Sequence, residues 1–184
     1  MILKSNYKSK NALDITIRSA EASDAKALLN LKLEYLRNTQ TIPLFEDEYN
    51  NSIEEEEALI NMLSIEKNSR LLVAEFEGQL IGNIDIKGNQ RRKLFHTSML
   101  GMGLSEKWQG LGIGTMLITE VLKWAKQNEL LEIIILEVYD SNYAGKALYN
   151  KIGFQECGRT SNFFKENGKL IDNIRMVYRC GKSL

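Results

Sequence analysis

The chain predicts one mixed α/β domain with helices on both faces of a sheet. Three observations lead there. Strand-like and helix-like segments follow one another in the order β-α-α-β-β-β-α-β-α-β-β. One segment, EIIILEV at 132–138, is a continuous apolar run, the pattern of a central strand covered on both sides. The 184 residues are 43% hydrophobic and 26% charged, with no linker, repeat or low-complexity stretch, which suits one domain with a sizeable core.

The elements are justified in order. Residues 1–13 are polar and lysine-rich and read as a loose arm, leaving 14–184 as the domain. LDITIRSA alternates, as a half-buried strand does, and ends near Arg18. SDAKALLNLKLEYLRNT has a cap at Ser23 or Asp24 and apolar residues at Leu28, Leu31 and Tyr35 on helical spacing. The only proline, Pro43, sits in a loop. SIEEEEALINMLSIEKN is a second helix whose acidic first turn suits the positive end of the dipole, and Glu54–Glu57 reads as a solvated helix start. Two β-rich segments then meet at EGQ, a hairpin signal. LFHTSMLGMGLS is a further strand, in which Gly101 and Gly103 mark a bulge or a close approach of backbone. An apolar helix follows, with Ile113, Leu117, Val121 and Trp124 on one face. After the apolar strand, SNYAGKALYNKIGF is a short helix stopped by Gly153, and the chain ends as β-segments around an NG turn.

Lys+Arg and Asp+Glu number 24 each, so the balance asks for neither nucleic acid nor an anionic membrane. The start of the chain lacks a signal-peptide core, and no run approaches the roughly 18 apolar residues of a membrane span. Cys157 and Cys180 match no zinc spacing and read as thiols in a reducing compartment. A cytoplasmic protein without a metal is expected.

WQGLGIGTMLITEVLKWA carries three alternating glycines, Gly110, Gly112 and Gly114, directly before a helix. The first N–H groups of a helix have no intrahelical partner and favour a phosphate. Glycine allows a sharp turn and lets a ligand reach the backbone. Gln109–Thr115 is therefore a candidate phosphate cradle. It lacks the Gly-Lys-Ser/Thr ending of a Walker loop, and its spacing G-x-G-x-G is not the dinucleotide fingerprint.

A second block decides the reading. SMLGMGLSEKWQGLGIG followed by LEVYDSNYAGKALYNKIGF resembles the GNAT superfamily of N-acetyltransferases. The acyl-CoA signature corresponds to Gln109, Gly110, Leu111, Gly112, Ile113 and Gly114, and the downstream signature to Asn142, Leu148, Tyr149, Gly153 and Phe154. The likeness is specific from about Met99 to Phe154; Gly145 stands where alanine is usual, a departure read as without consequence for chemistry.

The resemblance implies a GNAT-like fold: a mostly antiparallel mixed sheet whose two central strands splay apart. It implies acetyl-CoA as cosubstrate. The pyrophosphate would sit on Gln109, Gly110, Leu111, Gly112, Ile113, Gly114 and Thr115. The pantetheine arm would lie along the backbone of Met102, Gly103 and Leu104 like an added strand, with Asn142 on its other side. Tyr149 would protonate the leaving thiolate, and a backbone N–H such as that of Leu104 would hold the oxyanion. An alkylamine with a pKa of about 10.4 also needs a base near pH 7. Many members carry a glutamate where this chain has Gly101. Glu75, Asp85, His96 and a water chain are the alternatives.

The acceptor is expected to be a primary amine of a small molecule or a peptide N-terminus. Its entrance would be framed by Phe45, Glu46, Asp47 and Glu48 and by the C-terminal NFFKENGKLIDNIRM, although those acids also read as a solvated loop. A homodimer is common among relatives. The competing class is a catalytically silent acyl-CoA-binding sensor.

Overall fold

The computed structural model describes residues 4–181. Eight strands form one sheet: β1 (Lys4–Lys8), β2 (Asp14–Ser19), β3 (Arg70–Phe76), β4 (Gln79–Gly88), β5 (Thr97–Leu104), β6 (Ile133–Tyr139), β7 (Gln155–Glu166) and β8 (Lys169–Arg179). Their order is β1-β2-β3-β4-β5-β6-β8-β7. Every neighbouring pair is antiparallel except β5 with β6. Four α-helices accompany them: α1 (Ala25–Asn38), α2 (Ile53–Ile65), α3 (Ile113–Gln127) and α4 (Tyr143–Ile152). None of the described helices is long and apolar enough to cross a membrane.

Strand alternation divides the core between the two faces. On β3, Leu72 and Ala74 join the α3 side, while Leu71 and Val73 join α1 and α2. The α3 side is the larger: Ile113, Leu117 and Val121 pack with Ile84, Ile86, Ile134 and Leu136. Trp124 is only half-buried, beneath the guanidinium of Arg70. On the opposite face Leu28 and Leu31 of α1 and Ile60 and Leu63 of α2 close a second cluster. Each such side chain contributes about 1.5–3 kcal/mol by leaving water.

Two sequence expectations need correction. The loose arm of residues 1–13 is, over Lys4–Lys8, an edge strand paired with β2. Its inward side chains, Ser5 and Tyr7, are polar, so no apolar alternation announces it. Both bond the carboxylate of Glu120 on α3, which Lys123 also holds. The outward lysines suit an edge, where charge discourages further pairing.

The acidic run 54–57 is not wholly solvated. Glu54, Glu55 and Glu57 are exposed, with Glu55 completing a capping box on Ser52, but Glu56 is fully buried. Its α2 position faces α1, and Lys32 Nζ reaches it at 2.7 Å. Tyr49 and Asn51 complete the partners of that carboxylate.

Candidate active site

β5 and β6 are bridged only from Thr97–Ile133 to Met99–Ile135. β5 then runs on to Leu104 held by β4 alone, and β6 to Tyr139 held by β8 alone. A slot therefore opens between the two central strands towards their C-terminal ends.

Backbone alternation shows which groups line it. Asn89 N–H donates to the Thr97 carbonyl, and Ser105 N–H to that of Ile81, so odd-numbered residues of β5 turn their backbone to β4. Glu132 and Ile133 both donate to the His96 carbonyl, so even-numbered residues turn towards β6. Met102 and Leu104 thus present N–H and C=O to the slot, and Gly103 is bonded on the β4 side. The register of β4 on β5 is unbroken, so the glycines mark no bulge. Gly103 instead marks a close approach: a Cβ there would lie 2.2 Å from Cζ of Tyr35.

The glycine turn sits at the slot's mouth. Gly110 and Gly112 take φ of +75° and +89°, conformations that favour glycine. Gly112 caps α3, whose first N–H groups, those of Ile113, Gly114 and Thr115, have no helical carbonyl to bond. The side chain of Gln109 reaches back to the Leu104 carbonyl at 3.4 Å. The turn is also gripped from behind. Lys10, in the β1–β2 connection, donates its backbone N–H to the Leu111 carbonyl at 3.1 Å and its ammonium to the Gly110 carbonyl at 2.9 Å. Nothing in the sequence signalled this contact.

The second block comes to the same place. A Cβ on Gly114 of α3 would lie 3.3 Å from Leu148 of α4 and 3.6 Å from Met102 of β5, so both motifs and the strand converge. Asn142 caps α4, its Oδ1 accepting from Gly145 N–H at 2.8 Å. A Cβ at position 145 would stand 2.7 Å from the Asn142 amide, so this glycine leaves the cap its room. Tyr149 is buried, its ring 5.9 Å from that of Phe154. Burial pushes its hydroxyl up to about 12, so it stays protonated at neutral pH.

Polar groups gather on the other face, above β4 and β5. Asp85 stands opposite Gly101, and a Cβ on Gly101 would lie 3.2 Å from its Oδ1. Burial pushes the Asp85 carboxyl up, against the opposing pull of Lys87 and Lys32. Tyr35 is raised by burial and by Asp85 and Glu56. The side-chain oxygen of Asn83 is buried with no partner. The sequence named Asp85 as a candidate base, placed Tyr35 only on the apolar face of a helix, and passed over Asn83. The available signal was the strand-period pair Asn83 and Asp85, set beside Gly101 and Gly103.

The other expected bases lie elsewhere. Glu75 is bonded to Arg18 at 2.8 Å on the β2–β3 pair. His96 precedes β5, at the end where β5 and β6 are joined. Of the acceptor-side acids, Glu46 is paired with Arg37, Glu48 bonds the Phe45 N–H, and Asp47 is exposed. Phe45 itself is exposed. The C-terminal hairpin packs against the end of β6: Phe164 stacks on Tyr139, the last residue of that strand, at 4.2 Å, and Phe163 meets Phe164 edge-on. Among the described residues no group of three or more His, Cys, Asp or Glu could hold a metal.

Comparison with known proteins agrees with this fold. A model of the acetyltransferase (GNAT) family matches residues 26–154. The chain is similar to an L-amino acid N-acetyltransferase, AaaT of Escherichia coli, at 26% identity over 89% of this chain and 97% of that protein. A crystal structure of a GNAT-family acetyltransferase from Streptococcus pneumoniae superposes with a TM-score of 0.87 at 28% identity, covering 90% of this chain and 99% of that one. The yncA protein of Salmonella typhimurium, solved with its cofactor acetyl-CoA, shares the fold at a TM-score of 0.82 and 17% identity, over 92% of this chain and 95% of its own.

Proposed function

The chain belongs to the acetyltransferase (GNAT) family, and from that premise we propose that it acetylates the α-amino group of free amino acids. It is an N-acetyltransferase, with acetyl-CoA as donor and a primary amine of a small molecule or peptide as acceptor. The silent sensor is not favoured, because the relatives are named N-acetyltransferases. The amino-acid acceptor rests on the similarity to an L-amino acid N-acetyltransferase that extends over 97% of that protein.

The single observation that carries the mechanism is the parting of β5 from β6 beside the glycine turn. An extended arm fits the slot as an added strand, with the backbone of Met102 and Leu104 as partners. Gly103 serves by its missing side chain, which gives Tyr35 its place. The pyrophosphate takes the N–H groups between Gly110 and Thr115, with Gln109 at the rim. The Asn142 amide, oriented by its cap, faces the arm with Nδ2 free to donate. Tyr149, kept protonated by burial, gives its proton to the leaving sulfur.

The enzyme works in the cytoplasm, where cysteines such as Cys157 stay reduced. The homodimer implied by resemblance is tested by light scattering. Free-thiol release from acetyl-CoA tests the acceptor. Release should rise with L-amino acids and not with their N-acetylated forms. Release with peptides or polyamines alone would move the acceptor to that class.

A further inference from the structure

Amine acetylation needs somewhere to put the proton of the attacking nitrogen, and the groups assigned above to the arm and to the leaving sulfur do not take it. The arm enters at the glycine turn and runs along Leu104 and Met102. Its thiol end therefore lies about 10 Å deeper than Leu104, near Gly101 and the end where β5 and β6 join. Gly101 puts no side chain between the slot and the next strand. Directly across from it stands Asp85, half-buried, and no described residue donates a hydrogen bond to its carboxyl. Two residues along the same face, Asn83 holds a buried side-chain oxygen that also lacks a partner. Two acceptors without donors, reached through the gap left by a glycine, suit a group that brings N–H bonds.

We propose that Asp85 is the general base of acetyl transfer and that the Asn83 side-chain oxygen holds the same acceptor nitrogen. This rests on the acetyltransferase reading above. The free amine attacks the thioester carbonyl, and the C–N bond forms as Asp85 takes one nitrogen proton. The C–S bond breaks with its electron pair on sulfur, Tyr149 protonates that sulfur, and the Asp85 proton returns to the tyrosinate through water. An acceptor that arrives as ammonium first gives one further proton to solvent.

The charged and titratable groups facing Asp85 are Lys32 and Tyr35 of α1, Tyr49 of the α1–α2 connection, Glu56 of α2 and Lys87 of β4. Lys32 is committed to Glu56 and Tyr49, so it does not neutralise Asp85 by direct contact. Burial raises the Asp85 carboxyl, which brings its proton affinity closer to that of a working base at neutral pH.

The test compares wild type with Asp85→Asn, Asp85→Glu and the double variant Asp85→Ala with Gly101→Glu. The acceptor is the amine identified by the thiol-release panel. Asp85→Asn should lower kcat about 10²–10⁴-fold while leaving acetyl-CoA affinity unchanged. It should also abolish the acid limb that ionisation of Asp85 gives the kcat/KM profile, leaving only the slope set by the acceptor amine. The double variant moves a carboxylate one strand over into the space vacated at position 85, and should recover turnover and the acid limb. Asn83→Leu should raise the acceptor KM more than it lowers kcat. Undiminished turnover in Asp85→Asn with its acid limb intact would overturn the proposal alone. Wild-type protein that neither binds acetyl-CoA nor releases thiol would overturn the acetyltransferase reading, and this proposal with it.

Discussion

The two faces of the β4–β5 pair differ sharply. Towards α3 and α4 it presents Ile84, Ile86, Leu100, Met102 and Leu104, all in one apolar cluster. Towards α1 and α2 the alternate residues are Asn83, Asp85, Gly101 and Gly103, beneath Tyr35 and beside the Lys32–Glu56 pair. The same few residues of strand thus supply a dry support on one side and a polar chamber on the other. Period-two alternation makes this possible without lengthening the chain. Support and chemistry can therefore be perturbed separately.

The largest effect should come from Tyr149→Phe, which deletes only the hydroxyl. We expect kcat to fall about 10²–10⁴-fold with acetyl-CoA affinity retained, as steady-state kinetics and calorimetry would show. Unchanged kcat would leave Tyr149 a packing residue of the apolar face.

Next is Lys32→Met on the polar face. It strands the fully buried Glu56 without its cation, at a cost of about 3–5 kcal/mol. Chemical denaturation would measure it, and adding Glu56→Gln should return part of the loss. On the apolar face, Leu117→Ala removes a fully buried side chain of α3 and should cost about 2–5 kcal/mol. That loss should be the same at every pH at which the protein folds. A pH-dependent loss would mean that the two faces are coupled.

The smallest effect sharpens the contrast most. Asp85 has a carboxyl raised by burial, so folding favours its protonated form. The stability this protonation supports is full below the ordinary carboxylate pKa and is lost as pH rises through the raised one. Asp85→Asn should therefore be more stable than wild type near pH 7, with the gap closing as pH falls through the raised value and gone below about 3.9. A gap that widens in acid would reverse the sign and refute the burial account.

The sequence was most legible where backbone conformation restricts the residue. Gly112 and Gly153, both at positive φ, mark the start of α3 and the end of α4. The alternation of β3 and the apolar run of β6 placed the core. What stayed hidden depends on register between distant segments. The slot is a relation between β5 and β6, and neither strand's sequence records where their pairing stops. Asp85 gains its meaning from standing opposite Gly101. Glu56 looked like one acid among four until the phase of α2 turned it towards Lys32. β1 was missed because its inward residues answer to one carboxylate on α3.

That first strand carries a further consequence through Lys10 and its two hydrogen bonds to the glycine turn. Linkage is reciprocal: whatever free energy the β1–β2 connection lends to coenzyme binding, bound coenzyme must return to that connection. Saturation with acetyl-CoA should then slow tryptic cleavage at Lys8 and Lys10. The proteolytic lifetime of the amino-terminal segment becomes a gauge of occupancy at a site roughly a hundred residues away along the chain.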